Sequence, residues 1–127
     1  MSKVAVIGSG FVGRAWAISF ARGGHEVALW DQDPQAPERA LAYVEKLLPD
    51  LEDNDLLHGA TAEAIALRMR RAATLEAALD GAIHIQENTP EDVEVKREVF
   101  ARLDAAAASN AVLASSTSAI SSAVTGR

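Results

Sequence analysis

Hydrophobic and polar positions along the chain follow two different rhythms. "VAVI" (Val4 to Ile7) is a short unbroken apolar run, the pattern of a parallel strand covered on both faces. From Phe11 the period lengthens. Val12, Ala15, Trp16, Ser19 and Phe20 fall at helical spacing, which predicts a helix to about Arg22, ended by Gly23 and Gly24. "EVALWD" reads as a second strand that stops on an acid, and "DPQAPERALAYVEKLL" as a helix opening after Asp33 and Pro34. The pattern then changes from Pro49 to about Ala72. "PDLEDNDLLHG" reads as an acidic connection and "ATAEAIALRMRRA" as one more helix of high propensity. "TLEAAL" predicts a short helical turn, Ala82 to Gln86 a strand, and "TPEDVEVKREVFARLDAAAA" a helix. In that helix Thr89 is placed to cap, Pro90 suits the first position, and Asp92 completes a variant capping box. "AVLA" (Ala111 to Ala114) is the last apolar strand, followed by "SSTSAISSAVTGR".

Strands alternating with helices predict an α/β fold: a Rossmann-type doubly wound parallel sheet in the order 3-2-1-4-5, with an extra helical insertion before "TLEAAL". Ligands on such sheets bind beyond the carboxyl ends of the strands. Those ends carry "GSGFVG", Asp31, "ENTPE" and "SSTS", so four separate elements are expected around one crevice.

Composition narrows the partners. The 127 residues, 49% hydrophobic and 24% charged, suit a single domain spanning 1–127. A net charge of -6 with scattered arginines argues against nucleic acid, whose phosphates call for clustered cations. The absence of cysteine excludes disulfides, thiol catalysis and thiolate metal sites, and is compatible with a cytoplasmic location. No apolar run reaches membrane-spanning length, and "VAVI" is too short for the core of an export signal.

The glycine-rich turn is the first candidate for chemistry. Gly8 and Gly10 are expected to take positive φ and to let another group approach the main chain, and Gly13 to let a helix press on a sheet. A lone G-x-G-x-x-G also occurs as a packing turn. Here it follows a buried-type strand, opens a helix and has Asp31 18 residues after Gly13, which is the context of dinucleotide binding. A carboxylate at Asp31 accepts from both ribose hydroxyls and repels a 2′-phosphate, and Gln32 brings no cation, so NAD is expected rather than NADP. The plainer reading makes Asp31 a solvated residue at a strand end.

"GSGFVGRAWAISFARGGHEVALWDQDP", "IQENTPEDVEVKREVFARLD" and "VLASSTSAI" together resemble the 3-hydroxyacyl-CoA dehydrogenase superfamily, especially its lambda-crystallin branch, which includes L-gulonate 3-dehydrogenase. Similar segments occur in carnitine dehydrogenases. The resemblance covers nearly the whole chain but only the amino-terminal half of such an enzyme. It implies that Phe11 and Val12 line the pyrophosphate, that Asp31 holds the adenosine ribose, and that Glu91 and Lys96 contact the nicotinamide side. It also implies that Ser118 helps hold the substrate's reacting oxygen. Each has a bland counterpart: Glu91 suits any first helical turn, Lys96 any solvated face, and Ser118 a cap. Ser116 stands where the coenzyme A dehydrogenases commonly have asparagine, which weakens a fatty-acyl-CoA assignment more than the dehydrogenase assignment.

Oxidising a secondary alcohol also needs a base, which in this family is a histidine with an acidic partner lying beyond the matched segment. His25, His58 and His84 are placed at a turn opposite the ligand end, in the acidic connection and within a strand. None has metal-ligand spacing with another. The expectation is therefore an NAD-binding half of a dehydrogenase for a 3-hydroxy acid, its CoA ester or a gulonate- or carnitine-like alcohol. The rest of the family's enzyme, a helical carboxy-terminal domain, would complete the cleft and a homodimer interface. The rival is an NAD-binding sensor or crystallin-like structural module without turnover.

Overall fold

In the computed structural model, residues 2–88, 93–106 and 111–115 are described. Five strands, β1 (Lys3–Ile7), β2 (Glu26–Trp30), β3 (Met69–Arg71), β4 (Ala82–Glu87) and β5 (Val112–Ser115), form one parallel sheet in the order β3-β2-β1-β4-β5. Helices α1 (Phe11–Arg22), α2 (Ala36–Asp53) and α3 (Ala62–Leu67) cover one face, and α4 (Leu75–Leu79) and α5 (Val93–Ala106) the other.

The alternating direction of strand side chains divides the core in two. Val4, Val6, Val27 and Leu29 pack with Ala17, Ile18 and Ala21 of α1 and Val44 and Leu48 of α2. Ala5, Ile7, Ala28 and Ile85 meet Leu75 and Leu79 of α4 and Val99 and Leu103 of α5. Among the described residues no helix is long and apolar enough to cross a membrane.

The order 3-2-1-4-5 and the inserted helix agree with the sequence expectation, but the third strand comes from an unexpected place. "ATAEAIALRMRRA" is not one helix: α3 ends at Leu67 and Met69–Arg71 pairs with β2. The main-chain bonds Val27 N–H to Arg68 O and Ala72 N–H to Leu29 O tie it there. Three residues are too few for an alternation to show, and tertiary pairing overrides the helical propensity of Met and Arg. Pro49 likewise does not end α2, which continues to Asp53. Proline inside a helix removes one hydrogen bond, but the buried stripe Ala40, Val44 and Leu48, with Leu51 packed on the same core, holds the helix across it.

The strand ends are in register. Ile7 lies opposite Trp30 on one side and Glu87 on the other, and Glu87 opposite Ser115. This row places the carboxyl ends of β1, β2, β4 and β5 along a single edge. Between β1 and β4 the chain's winding reverses, the point where a doubly wound sheet opens its crevice.

Candidate dinucleotide site

The glycine turn leaves β1 sharply. Gly8 has φ 96°, a left-handed conformation that favours glycine, and its N–H donates to Trp30 O at 2.8 Å. Gly10 does not share that conformation: its φ is -72°. Its glycine identity answers a different need, because a Cβ built there meets no atom within 4 Å and would stand in the open space above the turn. Gly13 is the reverse case. A Cβ there would run into the carbonyl oxygen of Gly8, with Asn88 Nδ2 a further 3.5 Å contact, so α1 lies against the loop as closely as a backbone allows.

That approach aims the start of α1 into the crevice. Gly10 occupies the N-cap position, no side chain among the described residues caps the first-turn amides, and the first turn holds no acid. By contrast, α3 and α4 open under Thr61 and Thr74 hydroxyls and carry Glu63 and Glu76 in their first turns. An uncapped positive helix end above an open glycine surface has the chemistry of an anion site, with the Phe11 and Val12 amides in its first turn. Ser9, 1% exposed, adds a buried hydroxyl without a hydrogen-bond partner among the described residues.

Asp31 follows β2 and joins the turn. Its Oδ2 accepts the Ser9 N–H at 2.7 Å and its Oδ1 the Asp33 N–H at 2.9 Å. These bonds fix the carboxylate beside the glycine turn and leave further lone pairs on both oxygens for ligand hydroxyls. Asn88 closes the opposite side, its N–H on Ile7 O at 2.7 Å. A cavity of about 410 Å³ runs from Trp30 and Asp31 past Pro34 to Arg71 at the end of β3, Thr74 at the start of α4 and Arg102 within α5.

Several of these residues carry no sequence signal as ligand neighbours. Arg71 and Arg102 reach the cavity from distant segments. Arg71 is paired with Glu38 at 2.7 Å, and Arg102 with Glu76 at 3.3 Å while lying 5.1 Å from the Trp30 ring centre. Arg14 directly follows the glycine motif in sequence and packs over the turn. Its Nε donates to Ser9 O, and its guanidinium lies 5.0 Å and 4.9 Å from the rings of Phe11 and Tyr43. Glu87, wholly buried at the end of β4, accepts the Ser115 hydroxyl at 2.6 Å.

Of the residues singled out in the sequence, Gly8, Gly10, Phe11, Val12, Gly13 and Asp31 gather at one end of β1 and β2. Lys96 falls within α5, whereas Glu91 and Ser118 lie outside the described residues, as do Thr89, Pro90, Asp92 and Ser116. The histidines stand away from the crevice. His25 precedes β2 at the opposite end of the sheet, His58 lies between α2 and α3, and His84 is a mid-strand residue 5.1 Å from the Phe20 ring.

Residues 3–125 match the family described as 3-hydroxyacyl-CoA dehydrogenase, NAD binding domain. The human lambda-crystallin homolog is 39% identical over 119 residues, covering 92% of this chain and 37% of that protein. The L-carnitine dehydrogenase of Streptomyces coelicolor is 40% identical over 116 residues, covering 91% of this chain and 35% of the relative. The chain thus spans little more than a third of these relatives. Among solved structures, 3-hydroxybutyryl-CoA dehydrogenase from Escherichia coli K12 superposes with a TM-score of 0.82 at 32% identity, over 92% of this chain and 25% of that one.

Proposed function

Because the chain belongs to the 3-hydroxyacyl-CoA dehydrogenase family by its NAD-binding domain, we propose that it holds NAD at the carboxyl ends of β1, β2 and β4 and serves an oxidoreductase acting on a secondary alcohol. The substrate class is a 3-hydroxy acid, its CoA ester, or a gulonate- or carnitine-like alcohol. The observation that carries this reading is the uncapped start of α1 above Gly10, with Asp31 tied to the same turn.

In this reading Gly8 and Gly13 shape the turn, Gly10 admits the pyrophosphate, and the amides of Phe11 and Val12 hold it. Asp31 accepts from the adenosine ribose, while Glu91 and Lys96 are assigned to the nicotinamide side and Ser118 to the substrate's reacting oxygen. When bound, NAD supplies the carbon that accepts hydride. Residues 1–127 act as the cofactor domain. A further helical domain is assigned the base and the dimer contact.

The positions of the three histidines favour a second reading for this chain by itself, an NAD-binding module without turnover: none stands at the crevice. One experiment addresses both. NADH and NADPH are titrated into the chain while tryptophan emission is followed, since Trp30 lines the cavity beside Asp31. Saturable NADH binding with much weaker NADPH supports the cofactor reading, and absence of NADH binding by folded protein refutes it. Adding NAD with 3-hydroxybutyrate or carnitine then tests the second reading, which the appearance of NADH absorbance refutes.

A further inference from the structure

The cavity beside Asp31 contains the charge chemistry to bind a second anion, yet that chemistry is engaged elsewhere. Arg71 ends β3 opposite Leu29, one strand away from the point where β2 delivers Asp31. Its Nη1 lies 2.7 Å from Oε1 of Glu38, which sits in the first turn of α2. The two side chains are 47% and 64% exposed, and an ion pair so open to water contributes little to stability. The effect of the pair on what enters the cavity is more direct. An arginine is the side chain best suited to a phosphate, which it grips through two parallel N–H donors, and Arg71 lines the same cavity as Asp31. The cavity's other arginine, Arg102, is committed to Glu76 and to the face of Trp30.

We propose that Glu38 is a specificity-determining residue: by engaging Arg71 it withholds the cation that a ribose 2′-phosphate requires, so NADP is rejected by Asp31 and Glu38 together. Arg71 is then a 2′-phosphate ligand held out of use, and loss of one glutamate charge brings it into play. This rests on the cofactor reading above. It goes further by assigning the discrimination to a pair contributed by α2 and β3 rather than to the strand-end acid alone.

The test titrates NADH and NADPH into the wild-type chain, Glu38→Gln, Arg71→Gln and the double variant, following tryptophan emission. All the changed side chains are exposed, and thermal midpoints verify that each variant is folded. Glu38→Gln is expected to tighten NADPH binding on the order of fivefold to tenfold, the effect of removing one competing charge at close range in a partly solvated site. NADH binding should change less than about twofold, because NAD carries no 2′-charge to be affected. The NADPH gain should vanish in the double variant and shrink as salt is raised. An unchanged NADPH-to-NADH ratio in Glu38→Gln, or a gain that survives removal of Arg71, overturns the proposal while leaving the cofactor reading standing. Failure of the wild-type chain to bind NADH overturns that reading, and the proposal with it.

Discussion

Replacing Gly13 by alanine separates the packing role of the glycine turn from its binding role. The new methyl group would overlap the Gly8 carbonyl oxygen and lie 3.0 Å from the Gly8 carbonyl carbon. Both are backbone atoms, so no side chain can swing aside. Relief requires α1 to shift off β1, and α1 buries Ala17, Ile18 and Ala21 in the core. Overpacking of this kind costs about 1–3 kcal/mol, and a backbone obstacle points to the upper end. Alanine's helix propensity returns about 1 kcal/mol. The net expectation is a loss of about 2 kcal/mol, or a fall in thermal midpoint of roughly 5–10 °C for a domain of this size. Gly10→Ala is the matched control, because its Cβ meets nothing within 4 Å and its φ of -72° is open to any residue. Its stability cost is at most about 1 kcal/mol, the usual effect of alanine at an N-cap. Its NADH affinity should nevertheless fall at least about tenfold, since the methyl group fills the space assigned to pyrophosphate. Thermal unfolding and NADH titration of both variants provide the measurement. A Gly13→Ala protein as stable as wild type would refute the close helix–turn contact, and unimpaired NADH binding by Gly10→Ala would refute the cradle.

Other perturbations follow from the same contacts. Asp31→Asn weakens the acceptors of the Ser9 and Asp33 amides, and should cost about 1–2 kcal/mol in denaturant unfolding together with most of the NADH affinity. Ser115→Ala removes a hydroxyl donor from the wholly buried Glu87 and should destabilise the fold by about 1–3 kcal/mol, whereas Ser115→Thr, which keeps the donor, should recover part of that loss. Asp33 is held below the usual carboxylate range first by the hydrogen bond from Arg39 and then by the Gln35 amide. Glu76 is lowered first by its own main-chain N–H and then by Arg102. A depressed folded-state value gives stability that is present above about pH 4 and lost as pH falls through it. The thermal midpoint should therefore drop below that pH, less steeply in Asp33→Asn/Glu76→Gln, and an identical profile in that variant would exclude these two groups as the cause.

Much of the site was legible because its requirements are local. Gly8, Gly10 and Gly13 stand at fixed offsets between an apolar strand and a helix, and the next strand ends at Asp31. Each of those relations lies within about thirty residues of chain, where backbone geometry follows from residue type. Even so, spacing alone did not say which glycine needs which property: Gly8 takes the left-handed conformation, whereas Gly10 only leaves room. The family resemblance was likewise carried by contiguous segments.

What the tertiary structure decided was which surfaces meet. Of the larger α1 residues at helical spacing, Val12 and Trp16 face outward and Phe20 is only partly buried, while Gly13, Ala17, Ile18 and Ala21 face the sheet. A helix drawn this close to β1 by the Gly8–Gly13 contact leaves room mainly for small side chains beneath it. The strand Met69–Arg71 exists because β2 offers an unpaired edge, a fact stored in residues forty positions away. The cavity's arginines arrive from β3 and α5 and find their glutamate partners on α2 and α4. Local chemistry, written in neighbouring residues, thus specified the turn and its acid. The charge balance around that acid required contacts between distant segments, and only the packed sheet and helices bring those together.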